Sequence, residues 1–239
     1  MSDSITMQND ARVKSIPFNW SVVGFLLFMT AIPGVPAIFL LALVAIGSSN
    51  GVSDSSMINA LHFEAPAAIF VHGVAGILFF LTMPFQFSPA LRAKNITWHK
   101  VGGRIALLSG YVMGLSAIWM HHVLYLVSFD ARYISLLVMS VAMCIAFSLA
   151  LWHIINRNIQ SHRKWMVRAV AITLGAVTPL FVEVILLLLF GQFESTLTIL
   201  NQFQHDYGRL VGVAINLGIV EYMFFKEQPK KKARSQLAM

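Results

Sequence analysis

The chain has 239 residues, 57% of them hydrophobic and 11% charged, with a formal net charge of +7. Soluble domains run at roughly 45–50% apolar and about 25% charged, so this composition excludes an ordinary water-soluble protein and points to several membrane crossings. The basic residues are spread over short links rather than gathered on one module, which argues against nucleic acid as a partner. A single cysteine, Cys144, leaves no intramolecular disulfide and no Cys-x-x-Cys-His haem attachment.

A helix needs about 20 apolar residues to cross roughly 30 Å of hydrocarbon. Six runs reach that length, predicting an all-α, polytopic bundle of six transmembrane helices. Residues 1–19 are polar and lack a signal-peptide pattern, so they are expected to remain as a cytoplasmic segment. The first run, Trp20–Gly47, is interrupted by Pro33-Gly34-Val35-Pro36 and should kink or break there. The second, Pro66–Ser88, carries His72. The third, Trp98–His121, opens on His99 and closes on His121 and His122. The fourth, Tyr133–Ile155, contains Cys144 and His153. The fifth, Trp165–Phe190, holds Pro179 and Glu183, and the sixth, Tyr207–Phe225, holds Asn216 and Glu221. Residues 20–225 thus form the membrane domain, followed by a basic cytoplasmic tail, 226–239.

Of the 17 Lys and Arg residues, all but Arg132 and Arg209 fall on one side of these spans. Cytoplasmic loops carry the positive excess, so both termini are expected in the cytoplasm and the chain in the inner (plasma) membrane. Six crossings return the two ends to one side, in agreement with the charge count.

Topology sorts the histidines by depth. An outer layer collects His72, His121, His122 and His205, with His62 near the same level, and an inner layer collects His99, His153 and His162. Two layers of imidazole on packed helices are what a b-type cytochrome needs for axial ligation of haem b. Gly73, Gly76, Gly102, Gly103 and Gly110-x-x-x-Gly114 should leave room for a neighbouring helix or a flat ligand, and Arg92, Lys94 and Arg104 suit haem propionates. The expected activity is haem- or quinone-linked electron transfer, with His72, His99 and His162 as iron ligands if haem binds. A bland reading stands beside it, in which interfacial histidines meet water and headgroups and Arg104 and Arg168 snorkel. A transporter would instead use the broken first helix, Pro179 with Glu183, and Asn216 as a midplane site. A third reading is a non-catalytic membrane anchor for a partner.

The joint pattern His72-x-x-x-Gly76, Gln86-Phe87-x-Pro89-x-Leu91-Arg92, His99-x-x-x-Gly103-Arg104 and His162-Arg163-x-Trp165-Met166-x-Arg168 resembles the bacterial predicted-membrane-protein family catalogued as domain of unknown function 2306. The resemblance runs from about residue 66 to 189. It implies that Gln86, Arg92, Arg104, Trp165 and Arg168 join His72, His99 and His162 as candidate site residues, and it carries no reaction with it. The chain departs from that pattern at Ile105 and Ala106, where members often have a tyrosine, and at Thr178-Pro179-Leu180, where they tend to have an arginine. The histidine hairpin is also loosely similar to transmembrane two-haem cytochromes of the b-five-six-one kind, a likeness of architecture alone.

Overall fold

The computed structural model describes residues 17–46, 63, 66–124 and 129–236, and every regular element among them is a helix. His62 and nearly all of the N-terminal segment lie outside the described residues. Helix α1 spans Trp20–Ile46, α2 Pro66–Gln86, α3 Pro89–Lys94, α4 Ile96–Leu124 and α5 Ala131–Ile155. After these come α6 (Ile159–Leu174), α7 (Thr178–Phe190) and α8 (Glu194–Gln236). Five helices are long and apolar enough to cross a bilayer alone. The pair α6–α7, bent by 50°, brings the candidate crossings to six when it is counted as one span.

Polar side chains set the helix starts. Ser88 Oγ accepts the Leu91 N–H and Pro89 opens α3, where its missing N–H costs nothing. Asn95, Asp130 and Asn158 accept from the Trp98, Tyr133 and Ser161 amides in the same way, capping α4, α5 and α6. The turn from α5 to α6 is short because Arg157 takes a left-handed conformation, φ 59°, and the Asn158 N–H closes back on the His153 carbonyl at 2.8 Å. This is the helix-ending geometry that usually calls for glycine.

Three expectations need correction. Helix α1 runs unbroken through Pro33 and Pro36, so there is no discontinuous first span. The fifth crossing starts earlier, at Ile159, and its break falls at Gly175–Val177, which places Pro179 in the first turn of α7, where proline is tolerated. The sixth begins at Glu194 rather than Tyr207 and continues through Phe225 into the tail. Its 43 residues measure about 64 Å at 1.5 Å per residue, more than a bilayer needs.

Helix α2 lies between α1 and α4, α4 packs on α5, and α5 packs on α6 and α8. Helix α8 also carries α7. Phe147 and Met83 are fully buried at the centre, and Phe79 meets Phe147 edge-on at 6.3 Å. The core is drawn mainly from α5 and α6, joined by Phe79 and Met83 of α2, Leu26 and Met29 of α1 and Ala106 of α4. Leu108, Leu115, Ile145 and Leu188 point outward, a surface suited to hydrocarbon and not to water. Gly175 and Gly212 let α6 and α8 touch backbone to backbone, because a Cβ on Gly212 would stand 2.6 Å from the Gly175 carbonyl oxygen.

Candidate functional site

The arginine-rich end of the bundle holds the inner histidines. His162, in the first turn of α6, donates its Nδ1–H to the Ala150 carbonyl of α5 at 2.8 Å. A carbonyl can only accept, so the neutral ring is held as the tautomer whose Nε2 keeps a free lone pair. His99, half-buried near the start of α4, lies within electrostatic reach of both His162 and Arg92. Three candidates from α3, α4 and α6 therefore converge on one locality.

The remaining candidates separate from this group. Gln86, at the end of α2, lays its amide over Gly102 and Gly103: a Cβ on Gly102 would fall 2.6 Å from Nε2, and one on Gly103 would fall 3.3 Å from Oε1. Its Nε2–H reaches the Thr82 carbonyl at 3.4 Å, while Oε1 is buried without a hydrogen-bond partner among the described residues. The space expected for a flat ligand beside these glycines is thus occupied by Gln86. Gly110 and Gly114 likewise face Phe147 and Met143 of α5. These glycines serve helix packing, and the residues present do not frame the slots a haem would need there.

Arg104 sits on the exposed flank of α4, away from the stripe that carries His99, Gly102 and Ala106. Arg168 is held by Glu221 of α8, at 2.6 Å, and stacks on Trp165 at 4.8 Å. Its charge is compensated inside the protein. Trp165 itself packs against the core.

The outer histidines divide: His72 stands apart, while His121, His122 and, through Arg132, His205 gather about the start of α5. His72 on α2 has Nδ1 3.1 Å from both the Met113 carbonyl and Ser116 Oγ of α4, so its partners are main chain and hydroxyl rather than a second imidazole. His121 stacks on Tyr133 with ring centres 5.0 Å apart, and His122 Nε2 lies 3.1 Å from the Tyr133 hydroxyl. His205 Nε2 accepts from Arg132 at 2.8 Å, because a guanidinium can only donate, and its Nδ1 faces Asp206 Oδ1 at 3.0 Å. Sequence reading missed this bridge between α5 and α8, since nothing local pairs residue 132 with residue 205. No cluster of three metal-ligating side chains occurs among the described residues.

The elements of a midplane transport site also part company. Glu183 is exposed on α7. Asn216 is engaged, its Nδ2 donating to the Ala171 carbonyl at 3.0 Å and to Thr178 Oγ1 at 2.9 Å, across the bend.

A family model described as a predicted membrane protein (DUF2306) matches residues 69–212, more than half of the chain and further into α8 than the motif pattern reached. No curated protein and no solved structure matches the chain.

Proposed function

The chain belongs to the DUF2306 family of predicted membrane proteins, and from that premise we propose that it is a quinone-linked electron-transfer protein of the plasma membrane, with the ligand's head held by His162, His99 and Arg92. The observation that carries this reading is the His162 ring, whose Nδ1–H is committed to the Ala150 carbonyl at 2.8 Å. The free Nε2 is then an acceptor for a quinol hydroxyl. Arg92 supplies a donor for a quinone oxygen, and His99 is a second imidazole that can take or give a proton. A polar head on a long apolar tail is also the chemistry that a site at the hydrocarbon boundary suits. By the excess of basic residues this end faces the cytoplasm.

The haem form of the reading loses support from Gln86, which fills the gap beside Gly102 and Gly103. The transporter form loses support from the continuous α1 and from the exposed Glu183.

The test is binding of a decyl-tailed benzoquinone to purified protein in lipid discs, followed by quenching of tryptophan fluorescence. His162→Ala and His99→Ala are expected to weaken binding at least about tenfold, the loss of one charge-assisted or well-oriented hydrogen bond, while His153→Ala leaves it unchanged. Absence of binding, or equal binding by His162→Ala, would overturn the reading. A Soret band from haem-replete cells that disappears in both variants would shift the reading to haem.

A further inference from the structure

Helices α4 and α5 leave a groove of about 310 Å³ on the flank turned away from the core, lined by Leu115 and Ile118 on one side and by Val141, Cys144, Ile145 and Ser148 on the other. At about 30 Å³ per water-sized group, it has room for roughly ten methylenes. The basic end nearest to it can be located from the helix register. Gly110 sits against Phe147 and Gly114 against Met143, an antiparallel pairing that carries Arg104 opposite His153 at the basic end. Arg104, Leu108, Tyr111, Leu115 and Ile118 follow one another at spacings of three and four, so they share one stripe of α4. From Arg104 to Leu115 that stripe rises about 16 Å at 1.5 Å per residue.

Arg104 is exposed and has no acidic partner among the described residues. Lys100 stands one turn nearer the end of α4, and Trp152, 58% exposed, adjoins His153 on α5. Tyr111 Oη bridges to Ser148 Oγ at 2.7 Å between Arg104 and the groove, so an acyl chain passes over that bridge, and the unneutralised cation beyond it complements a headgroup that carries net negative charge. A zwitterionic headgroup would bring its ammonium up against Arg104 and Lys100.

We propose that the α4–α5 groove is a binding site for one anionic phospholipid, with an acyl chain in the groove and the phosphate at Arg104. The site shares no residue with the His162 locality and stands independently of the quinone reading.

The experiment offers phosphatidylglycerol or phosphatidylcholine to the delipidated full chain in detergent and counts bound lipid by native mass spectrometry. One phosphatidylglycerol per chain is expected to remain, with phosphatidylcholine lost. Arg104→Gln should weaken retention about fivefold, the equivalent of about 1 kcal/mol for one basic residue near a lipid surface. Val141→Trp, at an exposed position on the groove wall, should abolish retention without unfolding the protein. Alkylation of Cys144, the only cysteine in the chain, should be slowed by phosphatidylglycerol in the wild type and not in Val141→Trp. Equal retention of the two lipids, or retention indifferent to both substitutions, would overturn the proposal.

Discussion

Arg168 on α6 and Glu221 on α8 meet in a two-point ion pair, Nε donating to Oε1 at 2.6 Å and Nη2 to Oε2 at 3.0 Å. The aromatic rings of Trp165 and Phe224 lie 4.8 and 5.2 Å from the guanidinium. In sequence these are two separate charges in apolar runs. In the fold they are a neutral clamp between the two helices, which explains how both are accommodated within the membrane domain.

The clamp should resist conservative replacement. Arg168→Lys keeps the charge but loses the planar fork and the stacking, so it is expected to destabilise nearly as much as Arg168→Gln. A double-mutant cycle with Glu221→Gln, measured by denaturant unfolding in micelles, should return a coupling of about 0.5–1 kcal/mol, the scale for a partly exposed pair. Zero coupling would mean that the pair contributes nothing to the α6–α8 contact.

Two glycines of α4 should differ in tolerance. A Cβ on Gly110 would stand 2.6 Å from the Phe147 ring, which is fully buried and cannot retreat. A Cβ on Gly114 would meet the terminal methyl of Met143, which can swing aside. Gly110→Ala is therefore expected to cost about 1–3 kcal/mol, the usual range for overpacking a core, and Gly114→Ala clearly less. Thermal unfolding of the two variants decides the order.

Asn216 should act as interhelical glue. Asn216→Leu removes its hydrogen bonds to Ala171 and Thr178 and leaves the Thr178 hydroxyl only the Leu174 carbonyl at the end of α6. A loss of about 0.6–1.7 kcal/mol is expected, the range for such bonds in membrane bundles. Glu183→Gln, on the exposed face of α7, should leave stability unchanged and reveal no proton flux in liposomes.

The charge asymmetry sets a topological outcome. Reporters at either terminus should be accessible only from the cytoplasm, and one at Asn201, near the start of α8, only from the opposite side. A cytoplasmic Asn201 would mean that α6 and α7 do not together make one crossing.

Helix type and the five to six candidate crossings were legible in the residues, and so was the expected depth of each histidine. Each depends on a local quantity: the apolar content of about 20 consecutive residues, the tally of Lys and Arg in the links, or the depth that a fixed rise per residue assigns to a side chain. Rotation about each helix axis is different, because it depends on which small residues let which neighbour approach. Only the packed bundle therefore decided that Gln86 fills the space beside Gly102 and Gly103, that Arg104 is exposed while His99 is half-buried, and that Arg168 is answered by Glu221. The same holds for His162 and Ala150, and for Arg132 and His205, whose partners lie on other helices and leave no trace in local spacing. An unbroken α1 belongs to this second class as well: proline removes a backbone donor wherever it stands, but whether the helix runs on through that position is settled by the neighbours packed around it.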